Sequence, residues 1–184
     1  MYDKHMTSFI FVRHGQSKAN ANGIIADAHP PLTEEGIEQA RRTADEIRKF
    51  NITKVVCSPY LRAQQTAETI AGELGIELKD IEILDDLKER GLGVLEAKPK
   101  EHEGIWYFSD DESEGIEKRV DLYERMKRCL DQLIERADGE KLLVVGHSVS
   151  GFYLLQAAAH KGSVDEFDAL EMMKNADYVE VTAQ

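Results

Sequence analysis

Four short apolar runs, separated by stretches of helical periodicity, restrict this chain more than any other feature. They are Ser8-Phe9-Ile10-Phe11-Val12, Lys54-Val55-Val56-Cys57, Ile81 to Leu84, and Leu142-Leu143-Val144-Val145. Runs with so little polar alternation fit strands that are covered on both faces. The intervening patterns supply the covers. Ile37, Ala40, Ala44 and Ile47 share one helical face behind Thr33 as N-cap, with Glu34 and Glu35 in the first turn. Ala63, Ala67, Ile70 and Leu74 line a second helix, for which Ser58-Pro59 reads as N-cap and first residue and Gly75 as the stop. Ile116, Val120, Tyr123, Met126, Leu130, Leu133 and Ala137 mark a long third helix ending at Asp138-Gly139, and Val149, Phe152, Leu155 and Ala159 a fourth. Tyr178 to Thr182 reads as a closing strand. The alternation predicts an α/β fold, a three-layer α/β/α sandwich around a mostly parallel sheet, with room for one antiparallel edge strand.

A length of 184 residues suits a single domain spanning 1–184. Residues 85–115, with Gly91, Gly93 and Pro99, follow no regular period and read as a lid-like insertion beside the sheet. The net charge of -12 repels nucleic acid and anionic membranes, so neither is an expected partner. An anionic substrate then needs a local cluster of cations. No apolar stretch approaches the roughly 20 residues that span a bilayer. The opening residues are mixed and polar and do not read as a signal peptide, nothing in Met1 to Met6 demands structure, and cytoplasmic residence is the expectation. Cys57 and Cys129 both lie in apolar patterns and read as reduced, buried thiols. Oligomeric state stays open, although an exposed edge strand could pair two copies into a homodimer.

Reactive side chains recur just after the apolar runs. Arg13-His14 follows the first, Arg62 lies in the first turn of the helix after the second, Glu89 follows the third and His147 the fourth. Ligands of open parallel sheets bind outside the carboxyl ends of the strands, so these groups point towards one cleft. Two guanidinium forks suit phosphate oxygens. They also favour the neutral, nucleophilic form of a neighbouring imidazole. One carboxyl group can supply a proton. The set makes sense as a phosphoryl-transfer site without a metal or cofactor, since the arginines compete with a metal for the same pocket.

The motifs carrying these residues resemble a known family. Arg13-His14-Gly15-Gln16-Ser17 with Asn20 is similar to the R-H-G-[EQ]-S-x-x-N signature of the histidine phosphatase superfamily, the group that also contains phosphoglycerate mutase. Leu32-Thr33-Glu34-Glu35-Gly36 resembles its L-T-x-x-G, Ser58 to Ala67 its S-x-x-x-R-A-x-x-T-A, and Gly146-His147 its second-histidine motif. The resemblance implies that His14 attacks phosphorus and becomes phosphohistidine. It implies that Arg13, Arg62 and His147 clamp the phosphoryl oxygens, and that Asn20 adds a contact. Ser148 and the backbone N–H groups after His147 are expected at the anion as well. Glu89 aligns with the family's proton donor. Many relatives read G-x-W-E-G soon after that acid, whereas this chain has Gly93-Val94-Leu95-Glu96-Ala97, which makes Glu96 a rival.

The leading expectation is a phosphomonoesterase acting on a small phosphorylated metabolite. The alternatives are a cofactor-dependent phosphoglycerate mutase and a phosphoprotein phosphatase, with a non-catalytic binding protein behind them. Against the mutase stand the chain's length, an acidic lid whose extra cations are Lys98 and Lys100, and the lack of a G-x-x-Q-G stretch after the acid. His5, His29, His102 and His160 read as surface or structural residues, although His29 could face a substrate from its loop. Gln16 and Ser17 read as supports, Trp106-Tyr107-Phe108 as core packing, and the acidic run Ser109 to Glu114 as a solvated loop.

Overall fold

Alternate residues of the central strands enter two separate apolar cores, one on each face of the sheet. The computed structural model describes residues 7–100, 110, 114–159 and 173–183. Its strands are β1 (Thr7–Arg13), β2 (Lys54–Cys57), β3 (Ile81–Ile83), β4 (Leu142–Gly146) and β5 (Tyr178–Ala183). Its α-helices are α1 (Lys18–Ala21), α2 (Glu34–Ile47), α3 (Leu61–Leu74), α4 (Arg119–Ala137) and α5 (Val149–Ala158). Ile10, Val12, Val55, Cys57, Leu143 and Val145 pack against α2 and α3 through Ala40, Ala44, Ile47, Ala63, Ala67 and Ile70. Phe9, Phe11, Val56, Leu142 and Val144 pack on the other face against α4 and α5 through Leu122, Met126, Leu133, Tyr153 and Leu154. This is the expected α/β/α sandwich, and the small side chains of α2 and α3 let those helices lie close to the strands.

The strand order is β3-β2-β4-β1-β5. β1, β2, β3 and β4 run parallel, and β5 closes the sheet antiparallel to β1. β1 and β4 are therefore neighbours at the centre of the sheet, with Arg13 opposite Gly146 in the register. That adjacency brings the loops carrying His14 and His147 together.

Several local expectations hold and several shift. Thr33 caps α2 by accepting the Gly36 N–H at 3.0 Å, and Gly75 ends α3 at φ 78°. Ser58-Pro59 does not start α3. The helix begins at Leu61, with Tyr60 as an N-cap that makes no side-chain capping bond. The Ser58 hydroxyl instead lies 2.7 Å from His147 Nε2. Ile116 precedes α4 and joins Ile25 and Leu92 in a small cluster of its own. Val120 is 50% exposed, while Leu122 and Cys129 take the inward positions. α5 is buried almost all round, so its inner face is not the stripe that Leu155 and Ala159 suggest; Ala159 is exposed. Both cysteines are free and buried, and burial pushes each thiol up to about 12. Among the described residues, no helix is long and apolar enough to cross a membrane. Trp106, Tyr107 and Phe108, with His5, His102 and His160, lie outside the described residues.

The loop after β1 is seated on α2 by two glycines in contact. A Cβ at Gly36 would meet the Gln16 carbonyl oxygen at 2.1 Å, and one at Gly15 would meet the Gly36 carbonyl oxygen at 2.3 Å. Both obstacles are backbone, which cannot move aside cheaply. We expect Gly36→Ala to destabilise the protein by at least about 1–3 kcal/mol, the usual range for overpacking. Gly72→Ala, at an exposed helical site where a Cβ meets nothing within 4 Å, should stabilise by about 0.5–1 kcal/mol. Thermal unfolding of both variants checks the pair, and a neutral Gly36→Ala would refute the seating.

Candidate active site

His14 follows β1 directly, and its backbone N–H continues the sheet by donating to Gly146 O at 2.9 Å. Its ring Nδ1 lies 2.7 Å from the Gly15 carbonyl oxygen. A carbonyl only accepts, so Nδ1 carries the proton and Nε2 the lone pair. Arg62 Nε donates to that Nε2 at 3.2 Å. The imidazole is thus neutral, and its basic nitrogen faces a cation. Burial lowers its pKa well below 6.5, the nearby Arg62 and Arg13 charges lower it further, and the Gly15 carbonyl only partly opposes them.

Arg62 stands in the first turn of α3 and is almost fully buried. It also donates to the Asp27 carbonyl and lies over the Tyr60 ring, 5.1 Å from the centroid. Arg13, the last residue of β1, donates to the Met173 carbonyl. Thr66 Oγ1 accepts the Gly15 N–H at 3.1 Å, so α3 anchors the histidine loop as well as supplying Arg62.

His147 follows β4, and its ring centroid is 5.2 Å from that of His14. Its Nε2 pairs with Ser58 Oγ, while its buried Nδ1 has no hydrogen-bond partner among the described residues. Burial, then Arg62 and His14, hold its pKa well below 6.5. Asn20 forms a capping box with Ser17 at α1. Its Oδ1 lies 3.1 Å from the Ser17 N–H and 3.3 Å from Asn175 Nδ2, which leaves its own Nδ2 as the donor for the cavity.

Glu89 reaches across to the start of α5. Its Oε2 accepts the Ser148 and Val149 N–H groups at 3.1 Å each, and its Oε1 accepts Ser150 at 2.7 Å and its neighbour Arg90 at 3.0 Å. The amides after His147, expected to meet a substrate anion, are engaged by this internal carboxylate. A helix N-terminus is a ready anion site, and here the chain supplies the anion. Glu96 is turned away: its Oε1 accepts the Leu92 N–H at 3.1 Å.

Arg13, His14, Asn20, Arg62, Glu89 and Ser148 line one cavity of about 50 Å³, together with Arg90 and Lys100. His147 does not reach its wall. Ser148 Oγ has no hydrogen-bond partner among the described residues. Of the groups that sequence reasoning misses, Ser58 stands in a family motif but reads as a cap. Lys100 is carried in because the segment 97–100 pairs with 23–25 through Ala97 N to Ile25 O, Ile25 N to Lys98 O, and Lys100 N to Gly23 O. Asn175, just before β5, also donates to the His14 carbonyl at 3.1 Å and has no signal at all in the sequence. His29 is turned to solvent, with 89% of its side chain exposed. Asp110 is exposed, as expected of that run, and it also pairs with Arg90, whose side chain is 0% exposed, and with Arg119.

The sequence profile of the histidine phosphatase superfamily (branch 1) matches residues 9–184. The chain is 34% identical over 157 residues to the probable phosphoglycerate mutase GpmB of Yersinia pestis (strain Pestoides F), covering 79% of this chain and 71% of that protein. A mycobacterial glucosyl-3-phosphoglycerate phosphatase complexed with VO3 has a similar structure, with TM-score 0.81 and 22% identity over 94% of this chain and 90% of that one. Phosphoglycerate mutase from Bacillus anthracis str. Sterne gives TM-score 0.79 and 20% identity over 99% and 90%. At these identities the two solved structures speak for the fold.

Two buried neutral imidazoles carry a pH signature. Below 6.5 the unfolded chain takes up protons on both, while the folded chain refuses them until well below that value. The unfolded state then binds more protons, so stability is complete above 6.5 and is lost as pH falls towards the folded pKa values. The slope approaches about 1.4 kcal/mol per pH unit for each histidine. Denaturant titrations between about pH 7.5 and about pH 5 should show a steeper loss in the parent than in His14→Asn. Parallel slopes would mean that His14 is not held neutral.

Proposed function

The chain belongs to the histidine phosphatase superfamily, and we propose that within it this protein is a phosphomonoesterase for a small phosphorylated metabolite, with His14 as nucleophile. The observation that carries the reading is the fixed tautomer of His14, whose Nε2 lone pair meets a guanidinium N–H in a cavity large enough for a phosphoryl group. Arg62 gives up its bond to Nε2 and takes a phosphoryl oxygen, since a dianion is the stronger acceptor. Nε2 attacks phosphorus, the N–P bond forms, and the ester P–O bond breaks. Arg13 and Arg62 hold the charge that spreads over the equatorial oxygens. Asn20 Nδ2 and Ser148 Oγ add donors. Ser58 holds the His147 ring at Nε2, so that Nδ1 is its remaining polar atom.

Glu89 handles the protons. A phosphate arriving beside its carboxylate is repulsive; one of the four N–H bonds to the carboxylate gives way, and a proton brought by the phosphate is shared between them. That proton passes to the leaving oxygen and releases an alcohol. The carboxylate then accepts a proton from the water that attacks phosphohistidine, the N–P bond breaks, and inorganic phosphate leaves. The protein's partner is thus a small phosphate ester, drawn into a cationic cavity within an acidic molecule and held there without a metal or cofactor.

One observation favours a second reading. The relatives at 34% identity are named as probable phosphoglycerate mutases, and a mutase uses the same phosphohistidine. The commitments of Arg90 favour the phosphatase. Its fork is spent on Asp110 and the Glu117 carbonyl, so it is not free for a second phosphoryl group.

A labelled substrate quenched in alkali should leave acid-labile label on the parent protein and none on His14→Ala, whose turnover should fall by at least about 10³-fold. Retained turnover in His14→Ala would remove the nucleophile. Phosphate release from a panel of phosphorylated metabolites, with 3-phosphoglycerate isomerisation followed in parallel, separates phosphatase from mutase.

A further inference from the structure

The segment carrying Glu89 has no helix or strand to stiffen it. Residues 88–92 run between two single 3₁₀ turns, Asp85–Leu87 and Gly93–Leu95. A carboxylate that must reach across to α5 needs another support, and α4 provides it. Arg125 donates Nη1 to the carbonyls of Asp86 at 2.6 Å and Lys88 at 2.9 Å, and Nη2 to that of Glu89 at 3.4 Å. The same guanidinium grips Glu117 at two points, with Nε and Nη2 each 2.8 Å from a carboxylate oxygen. Glu117 in turn accepts the Gly91 N–H at 3.1 Å, and its carbonyl accepts Arg90 Nε at 2.8 Å. Its own N–H donates to Gly91 O at 2.9 Å. The pair is largely enclosed, with side-chain exposures of 13% and 23%.

Glu89 is therefore pinned at both ends, its carbonyl by Arg125 and its carboxylate by the amides of 148–150. We propose that Arg125, anchored by Glu117, is a positioning residue for Glu89: it touches no reacting atom and sets where the carboxylate meets the leaving oxygen. The proposal rests on the reading of Glu89 as proton donor. A planar fork is required, because one head must meet three carbonyls and a carboxylate together. A lysine there keeps the charge and loses the geometry. A displacement of about 1 Å at a catalytic group can cost about 10²-fold in rate.

The test compares a leaving group that needs protonation with one that does not. β-Glycerophosphate and p-nitrophenyl phosphate are the probes, on the full chain, for Glu89→Gln, Arg125→Lys, Glu117→Gln and the double variant Glu89→Gln/Arg125→Lys. Glu89→Gln should slow β-glycerophosphate by about 10²-fold or more and p-nitrophenyl phosphate far less. Arg125→Lys should show the same asymmetry, about tenfold or more on the first probe and within about threefold on the second. Glu117→Gln, which keeps the side-chain size, should follow it and serves if the lysine variant does not fold. In the Glu89→Gln background, Arg125→Lys should add almost nothing on β-glycerophosphate, because both act through one carboxylate. Suppose Glu89→Gln discriminates between the probes while Arg125→Lys slows both alike, or multiplies with it. The positioning role is then wrong and the acid role survives. Equal losses on both probes in Glu89→Gln would overturn the acid role and the proposal with it.

Discussion

The hydrogen bond from His14 Nδ1 to the Gly15 carbonyl is the contact on which the rest of the site depends. It decides which ring nitrogen keeps its lone pair. Without it, the cation at Nε2 would face an ambiguous ring, and burial alone would not say where an electrophile should arrive. The bond depends in turn on the position of the Gly15 peptide, which the Gly15–Gly36 approach and the Thr66 hydroxyl set against α2 and α3. A packing constraint between two helices and a loop thus becomes a chemical one. The two guanidinium groups reinforce it, since a cation beside a buried imidazole disfavours a second positive charge.

The donors around this cavity come from both side chains and backbone. Arg13 and Asn20 present donors from the end of β1 and the loop after it, Arg62 from α3, while α5 presents the amides of 148–150. Glu89 already holds the amides. Its four N–H partners leave a negative group facing two positive ones across a small cavity. The arrangement balances charge in the folded protein and holds the Glu89 carboxylate on the same cavity as Arg13 and Arg62.

Much of this architecture is legible in the amino-acid sequence. The strands are visible because a sheet covered on both faces needs almost unbroken apolar runs, and Leu142 to Val145 could hardly serve elsewhere. His14, Arg62, Glu89 and His147 group together because each follows such a run. Strand order is not legible, since hydrophobic period does not name a neighbour, and the adjacency of β1 and β4 emerges only in three dimensions. Ser58 misleads because a Ser-Pro pair looks the same to local rules whether its hydroxyl caps a helix or holds a histidine. Lys100 is legible as a cation of the lid, but its place in the wall is not, because two polar loops pair there through backbone atoms, which leave no side-chain signature. Arg125 is invisible for the opposite reason. An arginine in an amphipathic helix reads as solvent-facing, and only its partners 36 to 39 positions back along the chain reveal it as buried support.

The places where local rules fail coincide with the chemistry. An interior that followed them would not bury a guanidinium beside two imidazoles, leave a ring nitrogen of His147 without a partner among the described residues, or place a carboxylate on a helix start from a loop that a buried arginine must hold. Each departure costs stability that the two apolar cores must offset. On the proposed reading a tetrahedral anion would give the guanidinium an acceptor, engage the donors of Ser148 and Asn20, and bring the carboxylate a proton to pass on. The Arg62 bond to Nε2 is, on that same reading, exchanged for one to a phosphoryl oxygen, so the ligand replaces a neutral acceptor by a charged and stronger one.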